Sequence, residues 1–245
     1  MYNPSTFNNT YAIYIFPYIH AMIDEIEFKQ IADELVRRPL QMNPSRRTCG
    51  RGRTQTFGMV RKRRTPHGIS AVSRDRPYLY KMILEFADKH VSHPCTSITV
   101  NMNYRCEPHK DKGNCGMSTV VAFGNYTGGE LCIEGKEMNV CNLPVTLDFS
   151  NNTHWVKEFT GERFSMVFYN CKIPAEIKMP DVCVCEIDGK HILHVNGEPV
   201  VYNKYQRSKQ KQAVKLENIL QKVAVFGSRV IKAFLPRARR FLKLS

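Results

Sequence analysis

From Ser97 onward the apolar residues of this 245-residue chain recur at every second position, in short β-branched segments separated by Gly, Asn and Pro. A strand alternates its side chains between two faces, whereas a helix repeats every 3.6 residues, so this stretch is committed to strands. Six segments fit: Ile98 to Arg105, Ser118 to Phe123, Glu130 to Glu134, Val145 to Phe149, Thr153 to Glu158 and Arg163 to Cys171. Short strands at this spacing predict a sandwich or a barrel. Val182 to Tyr202 reads as an added antiparallel meander that turns at Asp188-Gly189 and Asn196-Gly197, because such pairs supply the positive φ that two-residue hairpins need.

Upstream the period changes. Ile26, Phe28, Ile31, Leu35 and Val36 predict an amphipathic helix over Asp24 to Arg38, ended by Pro39. Pro77 opens a second helix, Tyr78 to Val91, with Leu79, Met82, Ile83, Phe86 and Ala87 on one stripe. Between them, residues 43–76 read as a long basic loop holding one strand near Thr54 to Val60. In the tail, Leu216, Leu220, Val223, Phe226, Val230 and Phe234 predict a cationic amphipathic helix, broken near Gly227 and ended at Pro236. The expected organisation is one domain over residues 1–202 followed by a basic tail, 203–245.

Composition narrows the class. Hydrophobic residues at 42% and charged residues at 24% exclude a disordered or fibrous chain. The apolar run Tyr11 to Met22 is broken by Pro17 and His20 and lacks a basic region before it, so it reads as neither a spanning helix nor a signal peptide, and an intracellular location is expected. Nine cysteines include one C-x-C, Cys183 and Cys185, but no C-x-x-C, which argues against a disulfide framework or a zinc ribbon. The net charge of +14 is uneven. Residues 37–76 and 203–245 each carry twelve Lys or Arg against one acid, a net of +11 apiece, which leaves the rest at −8. Such arms meet polyanions, either nucleic acid or an anionic membrane, or serve as solvated faces or import signals; Arg61-Lys62-Arg63-Arg64 is a nuclear-import candidate.

His109-Lys110-Asp111 is the only H-x-D in the chain. His154 follows 43 residues after Asp111 at the start of a strand-like run, with Arg163 nine residues later and Ser165 beyond it. Strands distant in sequence lie side by side in a barrel, so a late His can complete a site opened by an early H-x-D. Two imidazoles and one carboxylate on one face of iron(II) leave the opposite face open, the arrangement of non-heme oxygenases. Arg163 and Ser165, i and i+2 on a strand, point the same way and form a cradle for a carboxylate. Ahead of the H-x-D, Thr99, Asn101, Asn103 and Arg105 would share one strand face; Asn101 and Asn103 either line the pocket, bonding oxoglutarate or substrate, or meet solvent. Trp155 reads as core packing rather than a substrate platform, and His90, His93, His191 and His194 are assigned to no metal.

H-x-D, a distal His and R-x-S on the last core strand together resemble the 2-oxoglutarate/iron(II) dioxygenase superfamily over about residues 97–172. Pro108-His109-Lys110-Asp111-Lys112-Gly113-Asn114, Gly124-Asn125-Tyr126-Thr127-Gly128-Gly129-Glu130-Leu131 and Gly161-Glu162-Arg163-Phe164-Ser165 most resemble its Tet/J-binding-protein branch. The resemblance implies a mostly β fold with flanking helices, built on a double-stranded β-helix (jelly-roll) core. It also implies an oxidoreductase that uses iron(II), 2-oxoglutarate and O2, with His109, Asp111 and His154 on the metal and Arg163 and Ser165 on oxoglutarate. The branch oxidises methyl groups of nucleobases, giving succinate and CO2 as co-products. Two departures stand out: Tyr169 occupies the position of the second Arg of AlkB-type enzymes, and Leu147-Asp148-Phe149 replaces the Pro-Gly-Asp turn often found before the distal His.

The basic arms make a base in DNA or RNA the first-choice substrate, taken from a single strand or flipped out of a duplex. The rivals are a protein side-chain (prolyl-type) hydroxylase and a metal-free β-helix that only binds nucleic acid or lipid. The tail has the same three open roles: nucleic-acid arm, structural helix docked on the barrel, or membrane helix. If both arms bind phosphate, affinity for an oligonucleotide falls steeply with salt, and deleting residues 203–245 flattens that slope. Coincident salt titrations of the full-length and truncated protein would remove nucleic acid from the reading of the tail.

Overall fold

A computed structural model of the chain describes residues 25–41, 52–60 and 67–200. The apolar run at 11–22, the import candidate at 61–64 and the tail from 203 lie outside the described residues.

Two helices open the described part. α1, Glu25–Arg37, carries Glu25 and Glu27 in its first turn and Arg37 in its last, charges that complement the helix dipole. α3, Pro77–His90, starts on the proline, whose fixed φ suits that position, and ends with Lys89 and His90. Between them the stretch expected to be mostly loop holds β1, Arg53–Val60, and also β2, Gly68–Ile69, and α2, Ala71–Asp75. These two short elements have no period of their own. Pairing of Ile69 with Met59 holds β2, and the Ser70 hydroxyl, accepting from the Ser73 N–H at 3.2 Å, caps α2.

The strands that follow are β3, Ser97–Met102; β4, Asn114–Gly128; β5, Leu131–Ile133; β6, Lys136–Met138; β7, Val145–Leu147; β8, His154–Val156; and β9, Phe159–Cys171. They form a major sheet in the order β2-β1-β3-β9-β4-β7 and a minor sheet in the order β6-β5-β8. All paired strands are antiparallel, consistent with the sandwich or barrel that the strand spacing predicts and with the jelly-roll core that the resemblance implies. The meander is β10, Val182–Ile187; β11, Lys190–Val195; and β12, Glu198–Val200, with positive φ at Asp188-Gly189 and Asn196-Gly197 where the sequence placed its turns.

The major sheet is buried on both faces. Phe164, Met166 and Phe168 of β9 join Ile98, Val100, Val121 and Phe123 in a core against Phe28, Ile31 and Leu35 of α1 and Leu79, Ile83 and Phe86 of α3. Alternation sends the intervening residues of the same strands the other way. There Val120 and Ala122 pack with Leu131 and Ile133 of the minor sheet and with Val140 and Phe149.

Three strands, β3, β4 and β9, depart most from their expected bounds, each for a physical reason. β4 and β9 extend well beyond their apolar centres because a ladder from Asn114↔Cys171 to Gly128↔Phe159 carries polar and glycine residues along with it. A bulge between Cys115 and Ser118 interrupts that ladder. β3 stops at Met102 rather than Arg105, since Asn103 takes a left-handed φ of 50° and breaks the alternation.

Phe86 is 1% exposed and meets Phe28 at 5.4 Å, Phe168 at 5.7 Å and His90 at 4.5 Å between ring centroids. Phe86→Ala should therefore destabilise the domain by about 3–5 kcal/mol. Denaturant unfolding measures this, and a loss below about 1 kcal/mol would mean that the helices do not share one core with the sheet.

Candidate metal centre

His109, Asp111 and His154 come together from a loop and a strand. The stretch after Asn103 crosses to the minor sheet, where His109 and His154 exchange backbone hydrogen bonds: His109 N donates to His154 O at 3.0 Å, and His154 N to His109 O at 2.9 Å. The Asp111 N–H donates to Phe149 O at 2.9 Å, which places its carboxylate beside both rings. One ligand atom from each of the three residues lies within 4.8 Å of the others. Asp111 Oδ1 is 3.5 Å from His109 Nε2, and Oδ2 is 3.8 Å from His154 Nε2.

The surroundings prepare these atoms as ligands. His109 Nδ1 lies 2.7 Å from Glu107 O and His154 Nδ1 3.1 Å from Asn152 O. Only a protonated nitrogen bonds a carbonyl, so each ring donates from Nδ1 and turns Nε2 toward the shared point. Asn114, buried, donates from Nδ2 to Asp111 Oδ2 at 3.2 Å, and Phe149 packs on the His154 ring at 4.5 Å between centroids. The Asp111 carboxylate and then Cys106 push the His109 pKa up to about 11, while burial lowers that of His154. A hard carboxylate converging with two imidazoles fits a divalent transition-metal ion.

The triad opens on a cavity of about 250 Å³. Thr99, Asn101, Arg163, Ser165 and Tyr169 line it from the major sheet, and Leu131 and Val156 from the minor one. Arg163 is 2% exposed. Its Nη2 donates to Gly129 O at 3.2 Å, its buried Nε has no partner, and no acid pairs with it among the described residues. Burial pulls its pKa down. A buried cation without a counter-ion is strongly disfavoured, so this guanidinium calls for an anion in the cavity.

The expected site residues divide. Asn101 lies in the wall, donating from Nδ2 to Ser165 Oγ at 3.1 Å, while its buried Oδ1 has no partner. Asn103 is exposed and outside the cavity lining; its Oδ1 accepts from the Arg163 N–H at 2.8 Å and its own N–H donates to Arg163 O at 2.8 Å. The left-handed turn that ends β3 thus locks the backbone at Arg163. Trp155 is half-buried, in neither core cluster and not in the cavity wall. Tyr169 lines the cavity and reaches Thr99 Oγ1 at 3.3 Å. Asn114 and Gly129 were not singled out as site residues in the sequence. Asn114 sits three residues after Asp111, a common spacing for a local side-chain bond, and Gly129 takes a φ of 74° where a Cβ would come within 2.9 Å of Arg163 Nε.

No protein-family model matches the chain, and no curated protein matches it. Similar solved structures include NgTET1 in complex with 5mC DNA, at 17% identity over 61% of this chain and 69% of that one, with a TM-score of 0.41. An oxidoreductase of the 2OG-Fe(II) oxygenase family from Burkholderia pseudomallei is 17% identical over 58% of this chain and 77% of its own, with a TM-score of 0.41. A prolyl-4-hydroxylase from Pseudomonas putida is 16% identical over 62% and 89%, with a TM-score of 0.39. At such distances a shared chemistry does not follow, and the side chains decide it.

Because Asn114 steers a carboxylate that would ligate the ion, Asn114→Ala should weaken divalent-ion binding roughly 10- to 100-fold while the protein stays folded. Titration with Mn(II) reads this out, and unchanged affinity would show that Asp111 needs no orienting partner.

Proposed function

We propose that the chain is an iron(II)- and 2-oxoglutarate-dependent dioxygenase that hydroxylates a C–H bond. The observation that carries the reading is the buried, acid-free Arg163 in the same cavity as the His109, Asp111 and His154 cluster. A metal cluster alone fits many chemistries. A metal cluster beside an isolated buried guanidinium fits a ligand with a chelating end and a carboxylate at the other, and oxoglutarate has both.

In this reading His109 Nε2, His154 Nε2 and an Asp111 oxygen would hold the ion, with the cavity beside them open to co-substrates. Bound iron(II) would supply the redox chemistry that couples O2 and oxoglutarate to hydroxylation, with succinate and CO2 released. Arg163 receives the distal carboxylate through its planar fork, and the Ser165 hydroxyl, on the same face of β9, stands beside it. Asn101 holds Ser165 in place. Val120, Leu131, Phe149, Val156 and Val167 give the cavity apolar walls that keep water from the reacting atoms.

For the substrate we propose a nucleobase in DNA or RNA, oxidised at a methyl group. The two +11 stretches at 37–76 and 203–245 support it, because such charge density suits a phosphate backbone better than a peptide. Incubating the protein with methylated oligonucleotides or with proline-bearing peptides, followed by mass spectrometry, separates this reading from a protein hydroxylase.

His109→Ala, Asp111→Ala and His154→Ala should each abolish iron-dependent succinate formation with little change in melting temperature. Arg163→Lys keeps the charge but loses the fork, so oxoglutarate affinity should fall roughly tenfold or more while iron affinity holds. Wild-type oxoglutarate affinity in Arg163→Lys would remove Arg163 from the site.

A further inference from the structure

A guanidinium that is to meet a carboxylate edge-on must be held in one plane, and the polar contacts available to Arg163 for this are few: Nη2 donates to Gly129 O at 3.2 Å, and the Tyr126 hydroxyl interacts with the guanidinium. Two rings flank it. The Arg163 Cζ lies 5.3 Å from the centroid of Tyr126 and 5.5 Å from that of Phe159, and the two rings stand edge to face at 6.3 Å and 74°. Both distances fall within the range in which an aromatic face attracts a guanidinium.

The β4–β9 ladder is built to make this slot. Tyr126 pairs with Gly161, Phe159 with Gly128, and Arg163 with Gly124, so the register brings the three large side chains onto one stretch of the ladder, each opposite a glycine. Gly129 closes the slot from the third side: a Cβ there would lie 2.9 Å from Arg163 Nε, 3.1 Å from its Cδ and 3.1 Å from Phe159 Cβ. Neither ring lines the cavity, so neither touches what binds there. Burial keeps the Tyr126 hydroxyl protonated, its pKa raised to about 12, so the phenol offers a neutral ring rather than an anion that would compete for Arg163.

We infer that Tyr126 and Phe159 are positioning residues for oxoglutarate, holding the plane of Arg163 so that its fork faces the cavity; the inference rests on the dioxygenase reading above. The ring face is the working part, and this separates Tyr126→Phe, which keeps it, from Tyr126→Leu, which does not. Phe159→Leu removes the opposite face and serves where Tyr126→Leu fails to fold.

The test uses full-length protein loaded with Mn(II) and titrated with oxoglutarate, together with KM and kcat for the iron-loaded protein. Tyr126→Leu and Phe159→Leu should each weaken oxoglutarate binding roughly tenfold and raise its KM in step. The kcat at saturating oxoglutarate and the Mn(II) affinity should stay at wild-type values, and Tyr126→Phe should bind oxoglutarate within about twofold of wild type. Wild-type oxoglutarate affinity in both leucine variants overturns the inference, as does a Tyr126→Phe defect as large as that of Tyr126→Leu, which would assign the effect to the hydroxyl. A parallel loss of Mn(II) affinity also overturns it, since that marks general damage to the barrel. If wild-type protein with Mn(II) binds no oxoglutarate, the dioxygenase reading falls and takes the inference with it; wild-type binding with indifferent leucine variants fells the inference alone.

Discussion

The pairing of β4 with β9 is the constraint on which the rest of the domain depends. It is the longest ladder in the described residues, and every other layer takes its position from it. One face of the pair is apolar and receives α1 and α3; the other carries Arg163, Ser165, Val167 and Tyr169 into the interior. Strand alternation alone produces this division of labour, with Phe164, Met166 and Phe168 gluing on one side what their neighbours use on the other. A slip of one residue in the register would bury the wrong set and send Arg163 into the helices.

Local signals in this sequence act within single elements. The hairpin turns at Asp188-Gly189 and Asn196-Gly197 need only their own residues to adopt positive φ, and both fall where expected. Helices α1 and α3 begin and end within a residue or two of their predicted bounds, because the acidic first turn of α1, the proline that opens α3 and an apolar stripe on each act within the element. His109, Asp111 and His154 could be proposed as one cluster because the H-x-D is unique and its partner heads a strand. Their meeting in space follows from hydrogen bonds between distant segments, which no local pattern encodes.

What was missed is long-range in origin. The ends of β4 carry Gly116, Gly124 and Gly128, which by propensity read as turns and do take positive φ; pairing with β9 carries the strand through Gly124 and Gly128, while Gly116 falls in the bulge. Asn103 sits in a run that alternates well enough to suggest a continuing strand, but its left-handed turn is stabilised by two bonds to the backbone of Arg163, sixty residues away. Thr99 and Asn101 of the polar stripe face the cavity, and Asn103 does not. The aromatic slot around Arg163 was hidden for the same reason: Tyr126 and Phe159 become neighbours only through the ladder.

The exchanged backbone bonds between His109 and His154 bear on which ions the centre accepts. The two rings lie 4.4 Å apart between centroids, on residues whose main chains are bonded directly to each other. A donor pair fixed in this way behaves as a gauge: an ion whose preferred bond lengths match the gap binds without deforming the sheet, whereas a larger or smaller one must stretch a pair of hydrogen bonds that belong to the fold. Selectivity at such a centre is then a property of the scaffold's stiffness, and loosening the strands far from the metal would be felt first as a loss of discrimination between ions.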